Sequence, residues 1–506
     1  MSYRYLSVSN IVVAQRRSSA LDSYANRTKV KVLVLVSLPR EIRLMSQVVI
    51  GIDFGSSRIK AAAYSREGEM VALEAVDTPL RRTAVGDDFP VLDMLDAACD
   101  VLSTLRGDSI AAVGLTSMGE VGTVVTGEAL APIDFPSWYD DRGGKVVATL
   151  EEWFGAERLR NLTARHLRTT STVAKLGHVQ STSRDVPRGQ FTGLCGALAY
   201  QLTGEVWQEA GLAATSGVYD LVGRRYIPEL WASAGLAHVE LPEVRPPGFG
   251  APARGAVARS LRLDDGARVV IAGHDHPVAA VGSGVRVGDI FDSMGTGEAI
   301  ISAFSATAGF GADELIGYLE RDPDLSFEFW PSDGAPLAVW ERMRPGLAMR
   351  TFLDGSDADR ATLEMGAARP RRDPSFSSAD LAALQAGLHV DGPRDAHAWG
   401  DLIDAYVLLA NQGSALVRSI SGAEGATVLT GGGLRSRRWR EAKLELATGP
   451  IDVSTVAEAA ARGCAAIAGA GIGWWPRPED MPGATRLAVT SHREMDEAIG
   501  DTVPSS

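Results

Sequence analysis

The stretch that decides the fold is Val48-Val-Ile-Gly-Ile-Asp-Phe-Gly-Ser-Ser-Arg-Ile-Lys-Ala-Ala-Ala-Tyr64. Its apolar runs, 48–52 and 59–64, are too short for helices and flank a small polar turn, a pattern that predicts a β-hairpin. Gly55 permits another group to approach the backbone of the turn closely. The polar side chains able to bind phosphate or a hydrated cation there are Asp53, Ser56, Ser57 and Lys60. The turn is therefore a candidate phosphate-binding loop, although an ordinary hairpin would have the same pattern.

A second segment, Val269-Val-Ile-Ala-Gly-His-Asp-His-Pro-Val-Ala-Ala-Val-Gly-Ser-Gly284, predicts an apolar strand that ends at Gly273 and a helix of small residues after it. Asp275 lies between the two, flanked by His274 and His276. An acid at a strand end beside a helix N-terminus is well placed for chemistry, but Asp is also a good helix cap. Both roles are open for Asp275 on this segment alone.

Two further turns are rich in glycine. The segment Asp292-Ser-Met-Gly-Thr-Gly-Glu298 predicts a second hairpin turn, either a plain one or one that binds phosphate. The segment Ala426-Thr-Val-Leu-Thr-Gly-Gly-Gly-Leu-Arg-Ser-Arg-Arg-Trp439 predicts a strand, a loop and the start of a helix. Three consecutive glycines are costly to order, so they indicate that something flat, such as a nucleotide ring, lies against the backbone.

The composition limits the class of protein. A chain of 506 residues with 45% hydrophobic and 22% charged residues is long enough for two domains. A net charge of −13 argues against a nucleic-acid-binding protein. The three cysteines are widely spaced, which predicts neither a disulfide framework nor a zinc site and fits a reducing cytoplasm. No apolar stretch reaches the roughly 18 residues of a membrane span, so we expect no membrane association.

The first residues of the chain differ from the rest by being basic. Residues 1–45 contain eight Lys and Arg residues and two acidic ones. Their apolar run at 31–38 is short for a secretory signal, and no convincing cleavage site follows it. We therefore expect an extension upstream of a start at Met45, disordered or loosely packed, that contributes nothing to the fold.

Taken in this order, the motifs resemble those of the FGGY carbohydrate kinase family, within the actin-like ATPase superfamily. The resemblance runs from about Val48 to about Trp475 and includes a small-residue helix that begins near Glu458. The matching positions are a first phosphate motif (Asp53, Gly55, Ser56, Ser57, Lys60), a sugar-side segment (Trp138-Tyr-Asp-Asp-Arg142), the Gly-His-Asp of 273–275, a second phosphate motif (Ser293, Gly295, Thr296) and an adenosine motif (Gly431, Gly432, Gly433, Ser436).

The resemblance implies an α/β fold of two actin-like (ribonuclease H-like) domains, related by internal duplication, with a cleft between them. The chain itself alternates strand and helix, with a helix predicted at 91–105 and a buried strand at 110–115. We expect ATP to lie in the cleft and the acceptor to bind deeper, on the N-terminal side. The expected segments are an N-terminal extension (1–46), a sugar-side N-terminal domain (47–287), a nucleotide-side C-terminal domain (288–480) and a C-terminal tail (481–506).

The activity implied by the resemblance is ATP-dependent transfer of the γ-phosphoryl group to a hydroxyl of a ketose or polyol. Such a hydroxyl is a poor nucleophile, so a carboxylate has to take its proton, and Asp275 has the position of that general base. ATP would be held by the two phosphate motifs and the adenosine motif, with Asp53 binding Mg²⁺ through water. The implied partner is a small-molecule sugar or polyol in the cytoplasm, with neither nucleic acid nor membrane; a homodimer is left open.

The residues expected to bind the acceptor are Glu120, Trp138, Asp140, Arg142 and His274, together with Asp275. Trp138 would stack on a sugar ring, although it could equally be a core residue. Two features depart from common subfamilies: Thr116-Ser-Met-Gly-Glu-Val121 replaces a xylulose-kinase-like Ser-Gly-Gln-Met-His-Gly, and Gly-His-Asp-His is closer to kinases of fuculose-like sugars. Because His274 and His276 would point to opposite sides of an extended segment, we expect one in the sugar pocket and one in packing, and no metal pair.

The alternative is a non-catalytic nucleotide-binding switch of the same superfamily, or a regulatory sugar sensor. Such a protein would keep the turns at Asp53 and Gly295 but could lose the acid at position 275. The presence of Asp275 favours the enzyme.

Overall fold

The computed structural model describes residues 47–105, 109–183, 186–264, 266–305, 310–483 and 486–500. All of these residues fall within one compact unit. The predicted N-terminal extension, residues 1–46, lies outside the described residues. Among the described helices, none combines the length and the apolar character that crossing a membrane requires.

The part of the chain before residue 283 carries the first large sheet and most of the smaller ones. Its strands are β1 (Gln47–Phe54), β2 (Arg58–Tyr64), β3 (Met70–Asp77), β4 (Arg81–Thr83), β5 (Gly86–Pro90), β6 (Ser109–Ser117), β7 (Gly122–Thr126), β8 (Ala129–Leu130), β9 (Asp134–Pro136), β10 (Gly189–Gly193), β11 (Trp207–Gln208), β12 (Tyr219–Asp220), β13 (Arg225–Tyr226), β14 (Val239–Glu240), β15 (Glu243–Val244), β16 (Gly250–Pro252) and β17 (Arg268–His274). Its helices are α1 (Val91–Thr104), α2 (Gly144–Phe154), α3 (Ala156–Thr163), α4 (Thr172–Thr182), α5 (Leu194–Thr203), α6 (Ala210–Ala214), α7 (Pro228–Trp231), α8 (Gly255–Ser260) and α9 (Asp275–Gly282).

The remaining part carries the second large sheet. Its strands are β18 (Ile290–Ser293), β19 (Glu298–Ala303), β20 (Leu325–Phe329), β21 (Pro336–Met343), β22 (Thr427–Thr430), β23 (Ile451–Ser454) and β24 (Arg486–Val489). Its helices are α10 (Ala312–Arg321), α11 (Pro345–Asp354), α12 (Arg360–Gly366), α13 (Ser378–Gln385), α14 (Ala396–Ser421), α15 (Arg437–Glu445), α16 (Ala459–Gly471) and α17 (His492–Gly500). The hairpins, strands and helices predicted around the sequence motifs are confirmed.

The two large sheets have corresponding topologies. The first has the order β3-β2-β1-β6-β17-β16, and the second has the order β20-β21-β19-β18-β22-β23-β24. In the first, β1, β6 and β17 are parallel and β2, β3 and β16 are antiparallel to their neighbours. In the second, β18, β22 and β23 are parallel and β19, β21 and β24 are antiparallel to theirs. The six strands match one to one, which confirms the predicted internal duplication and leaves β20 as an added edge strand.

A buried layer made by α9 and α16 joins the two sheets. One continuous apolar core contains Val49 and Val270 of the first sheet, Phe291 of the second, and the small residues of both helices. The backbone of α16 lies so close to the first sheet that a Cβ on Gly51 would be 1.8 Å from the carbonyl oxygen of Ala461. Glycine at that position therefore sets the distance between the sheet and the helix.

The segments expected from the sequence differ from the layers in which two of their elements pack. Helix α16 belongs by sequence to 288–480, yet it packs on the first sheet, against β1, β6 and β17. The segment set apart as a C-terminal tail, 481–506, contributes β24, which pairs with β23 in the second sheet. Neighbours in sequence are thus distributed over both halves of the molecule.

Candidate functional site

Three parallel strands of the first sheet end side by side. Asp53 on β1 is paired with Thr116 on β6, and Ser117 on β6 is paired with His274 on β17. The Thr116 hydroxyl donates to the carbonyl oxygen of Gly273 at 2.6 Å, which fixes the end of β17. Because the carboxyl ends of parallel strands form the binding edge of such sheets, Asp53 and the Gly-His-Asp segment are brought to one place.

The first phosphate turn connects β1 to β2. A Cβ on Gly55 would lie 2.9 Å from the carbonyl oxygen of Arg58, so the turn is tight enough to need glycine. The hydroxyl of Thr78 donates to the carbonyl oxygen of Gly55 at 2.6 Å and braces the turn from β3. Ser57 is exposed and Ser56 half-buried, so both hydroxyls are accessible to a ligand.

The charged residues of this turn are held by partners. Lys60 Nζ lies 2.7 Å from Glu458 Oε2, immediately before α16. Burial, and next the charge of Asp275, raise the pKa of Asp53 to about 7, while Lys60 opposes that shift. The expected contact of Lys60 with phosphate stays a prediction, because its amine is already paired with Glu458 in the structure.

Asp275 is the first residue of α9, and His274 occupies the N-cap position. The Asp275 carboxylate accepts from the backbone N–H of His276 at 2.7 Å through Oδ1. Its side chain is 21% exposed, so it is accessible from solvent. Asp275 is therefore not the N-cap residue itself, although its carboxylate accepts one N–H of the first turn of α9, and its role as the base stays a prediction.

The two histidines do not point to opposite sides as expected. The premise of that expectation was wrong, because side chains two residues apart share one face of an extended segment. The chain in fact turns from strand into helix at Asp275, and the ring centroids are 6.1 Å apart. His274 Nδ1 lies 2.9 Å from Glu328 Oε2 on β20. His276 Nδ1 lies 3.3 Å from the hydroxyl of Ser293 on β18. Both histidines therefore contact the second half of the molecule.

The sugar-side segment forms a network of charges beside the loop that carries Glu120. Arg142 Nε donates to Asp140 at 2.7 Å, and Arg142 Nη1 lies 2.8 Å from Asp88. Lys175, buried within α4, lies 3.1 Å from Asp140. Burial raises the pKa of Glu120 to about 7, against the charge of His274, which lowers it. Asp140 and Arg142 are thus hydrogen-bonded to each other. Their binding of the hydroxyls of an acceptor stays a prediction.

Trp138 is half-buried and packs against the core of the first half. Its ring meets Tyr139 edge-on at 5.4 Å, and the guanidinium carbon of Arg344 lies 5.3 Å from its centroid. Because Arg344 comes from the second half, Trp138 forms a contact across the molecule in addition to its predicted place beside the acceptor.

The second phosphate turn and the triple glycine lie together at the carboxyl ends of β18 and β22. The backbone N–H of Met294 donates to Thr430 at 2.8 Å, and that of Gly433 donates to Met294 at 2.7 Å. Gly295 lies close to the first turn of α11. A Cβ on Gly346 of that helix would be 2.7 Å from the carbonyl oxygen of Gly295. Thr296 follows in the same turn.

The three glycines have different reasons to be glycine. Gly431 has φ +98°, and a Cβ on Gly433 would be 2.7 Å from Met294. Nothing lies within 4 Å of a Cβ on Gly432, which is exposed. Ser436 is buried, and its hydroxyl accepts from Trp439 N as the N-cap of α15. Gly432 is thus the position with room for a flat ligand, and adenosine binding by Ser436 stays a prediction.

Sequence reasoning missed several residues of this region. Glu328 and Lys175 are charged residues inside buried segments, Leu325-Ser-Phe-Glu-Phe329 and Val173-Ala-Lys-Leu176, and this contrast is a signal that could have identified them. Arg344 precedes Pro345 without any local pattern. We also missed a buried cluster of Asp292, Glu298 and Lys443 beneath the second phosphate turn. The sequence around the turn gives no signal for it, because Lys443 comes from the distant helix α15.

The donor set at the strand ends suits a hard cation and a phosphate chain. Asp53, Asp275 and Glu458 are close enough that the charges of the latter two raise the pKa of Asp53. Carboxylate oxygens are the ligands that Mg²⁺ takes together with water and substrate phosphates. Across the described part of the chain, no three acidic, His or Cys side chains converge as a complete metal cage. The residues present therefore fit a Mg²⁺ held by one or two carboxylates and shared with a ligand.

Comparison with known proteins gives relatives along most of the chain. Residues 48–282 match the model of the FGGY family of carbohydrate kinases, N-terminal domain. L-fuculokinase of Salmonella typhi is 24% identical over 464 residues, covering 86% of this chain and 95% of that protein. Autoinducer-2 kinase of Yersinia pestis (strain Pestoides F) is 23% identical over 471 residues, covering 84% and 86%.

Solved structures with the same fold cover nearly the whole described chain. Xylulose kinase from Rhodospirillum rubrum has a TM-score of 0.73 at 21% identity, covering 90% of this chain and 97% of that one. Plasmodium falciparum glycerol kinase with ADP has a TM-score of 0.71 at 12% identity, covering 91% and 99%. These likenesses confirm the predicted two-domain, actin-like fold.

Proposed function

We propose that the chain transfers the γ-phosphoryl group of ATP to a hydroxyl of a ketose or polyol, with Asp275 as the general base, and the match of residues 48–282 to the FGGY family of carbohydrate kinases supports this proposal. The observation that carries this proposal is the position of Asp275. It is an accessible carboxylate on the first helix turn after β17, beside the strand end that carries Asp53. The second phosphate turn reaches the same place through the contact between Ser293 and His276.

The mechanism assigns one task to each side of the site. Asp275 accepts the proton of the acceptor hydroxyl as that oxygen bonds to the γ-phosphorus and the bond to the ADP oxygen breaks. The turns at Gly55 and Gly295 offer backbone N–H groups to the phosphate oxygens. Closure of the two halves over the site would exclude the water that otherwise hydrolyses ATP.

Asp53 is the residue that would hold Mg²⁺, through water. Bound Mg²⁺ supplies positive charge that stabilises the phosphate oxygens during transfer. Lys60, paired with Glu458, would place a further cation on the same side of the turn. On the nucleotide side, the open space over Gly432 supports adenosine binding there.

The acceptor class follows from the polar groups of the first half. Glu120, Asp140 and Arg142 offer both donors and acceptors, which a polyhydroxylated acceptor needs, whereas both ring nitrogens of His274 already have carboxylate partners. Relatives named for L-fuculose and xylulose support a ketose as the first choice. The individual sugar is the part of the function that the experiment has to supply.

The test is sugar-dependent release of ADP by the full chain with Mg²⁺ and ATP. The panel should contain L-fuculose, D-xylulose, other ketopentoses and ketohexoses, and polyols including glycerol. We expect one or a few ketoses to stimulate ADP release well above the rate without sugar, and the Asp275→Asn variant to lose that stimulation. ATP binding without stimulation by any acceptor would contradict the proposal and favour the nucleotide switch.

A further inference from the structure

A hydrogen bond and an ion-pair contact, both made by His274, connect Asp275 with the second half of the molecule. Glu328, fully buried on β20, contacts His274 Nδ1 through Oε2 at 2.9 Å. The other ring nitrogen, Nε2, lies 3.2 Å from Asp275 Oδ1. The imidazole of His274 therefore connects an edge strand of the second sheet with the carboxylate proposed as the base.

The groups around His274 favour its charged form. Glu328, Asp275 and Glu120 face it, and Glu209 lies near enough to be influenced by it. Burial alone would lower the pKa of His274, but the charge and the hydrogen bond of Glu328, followed by Asp275, raise it well above its ordinary value. Burial alone would raise the pKa of Glu328, but the charge and hydrogen bond of His274, followed by Arg165 at 3.4 Å from its other oxygen, lower it. A protonated ring donates from both nitrogens, so both contacts of His274 can be made at once.

This arrangement leaves one oxygen of Asp275 for the reaction. Among the described residues, the backbone N–H of His276 donates to Oδ1, and the ion-pair contact of His274 Nε2 is made with the same oxygen. Oδ2 is thus the oxygen available to accept a proton. Fixing the carboxylate through Oδ1 orients Oδ2, and an error of about 1 Å in such an orientation can lower a rate on the order of 10²-fold.

We propose that Glu328 is a positioning residue for the reaction proposed above: reaching across from the second half, it orients His274 so that this ring holds Asp275 with Oδ2 towards the acceptor hydroxyl. The inference rests on the proposed function. It adds that the base is correctly placed only while β20 contacts β17, which links the closed arrangement of the halves to the orientation of the base. A purely structural ion pair between the halves would have no such effect on the reaction.

The first test measures the protonation of His274 and does not depend on enzymatic activity. The chain contains eight histidines, and nitrogen-15 NMR of the imidazoles follows the protonation of each with pH. We expect one imidazole of the full chain to remain protonated at both nitrogens to clearly higher pH than an ordinary histidine, and its signal to be absent in the His274→Gln variant. Titration of His274 near its ordinary value of about 6.5 would overturn the proposal.

The second test compares Glu328→Gln, Glu328→Asp and a matched control. The control is Glu445→Gln, which removes a surface Glu–His pair of the same 2.9 Å length, with His492, away from the site. We expect Glu328→Gln to lower kcat about 10- to 100-fold, with a loss that deepens as pH rises from 6 to 8 while the KM for ATP is kept. Glu328→Asp keeps the charge and should restore part of the kcat that Glu328→Gln loses at pH 8, and Glu445→Gln should match the unmodified chain.

The outcomes separate this inference from the proposed function. A Glu328→Gln variant with unchanged kcat and pH profile but a lower melting temperature would show a structural pair only and overturn the inference. If Glu328→Gln does not fold, Glu328→Asp and the imidazole titration still decide. Absence of sugar-dependent ADP release in the unmodified chain would contradict the proposed function itself, whereas the imidazole titration reports on His274 regardless of activity.

Discussion

At the scale of single residues, the proposed site combines an accessible carboxylate, Asp275, with a buried one, Glu328, whose partner comes from a distant part of the chain. Asp275 could be predicted because a strand, an acid and a helix start are contiguous in the sequence. Glu328 could not, because its partner His274 is 54 residues away and the contact exists only once the two halves are folded together. Local motifs therefore identify the proposed base, whereas the residues proposed to orient it come together only on folding.

Asp275→Asn tests the base. Asparagine keeps the size and accepts the hydrogen bonds to Oδ1, but it cannot take a proton, so we expect kcat to fall by roughly 10²–10⁴ while ATP binding is retained. Single-turnover kinetics and nucleotide titration measure the two quantities separately. Near-normal turnover in this variant would exclude Asp275 as the base.

Glu209→Gln tests an ionisable group that the reaction does not use. Glu209 is buried, its Oε2 caps α6, and burial raises its pKa to about 7, against the two backbone hydrogen bonds. A raised pKa means that the stabilisation is complete below its unfolded value of 4.5 and is lost as pH rises through about 7. We expect the unmodified chain to lose roughly 1–1.5 kcal/mol of unfolding free energy between pH 6 and pH 8.5 through this group.

Denaturant midpoints at the two pH values measure this loss. The Glu209→Gln variant should lack that part of the pH dependence, whereas Glu240→Gln, at an exposed position, should retain it. An identical pH dependence in both variants would show that Glu209 is ionised in the folded protein at pH 6.

At the scale of elements, the glycine-rich turns could be predicted from the sequence. Why each position in them is glycine could be predicted only in part. The triple glycine was assigned to a flat ligand, but Gly431 and Gly433 are required by the backbone and by contact with Met294. The sequence does not distinguish a glycine needed by a ligand from one needed by the protein, because both reasons remove the same Cβ. Only Gly432 retains the ligand as its explanation.

A pair of variants in this loop separates the two reasons. Gly432→Val places its side chain in open space, so we expect the KM for ATP to rise about tenfold or more with little change in melting temperature. Gly433→Ala pushes against Met294 and Trp439 and should lower stability by about 1–3 kcal/mol. Steady-state kinetics and thermal unfolding of both proteins make the comparison. A Gly432→Val variant with unaltered ATP kinetics would place the nucleotide elsewhere.

At the scale of the whole molecule, the duplicated α/β architecture was predicted from the sequence and is confirmed, and residues 48–282 match the N-terminal domain model of the predicted family. The duplication was recognisable because both halves repeat the hairpin phosphate turn. The placement of α16 on the first sheet was not predicted, since a small-residue helix carries no signal for which of two similar sheets it covers. The residues that decide it, Gly51 and Gly114, are glycines within strands.

Gly114→Ala tests this packing. The added Cβ would lie 2.1 Å from the carbonyl oxygen of Cys464, a backbone atom of α16, so helix or sheet has to move. We expect a loss of about 2 kcal/mol or more in unfolding free energy. Activity should also fall, because β6, which carries Gly114, pairs with β1, which carries Asp53. Gly317→Ala, with nothing within 4 Å of its Cβ on α10, is the matched control and should be neutral or slightly stabilising. Equal stability of the two variants would contradict the close contact.

The covering of the first sheet by α16 also affects how the protein is made. The strands of that sheet have all been synthesised by residue 274, but the helix that covers one of its faces begins only at residue 459. At about 5–20 residues per second, a ribosome needs on the order of 10–40 s to cross that interval. During this time the nascent chain displays an apolar surface of alanines and valines, a binding site for chaperones, and any chain that terminates early keeps that surface permanently uncovered.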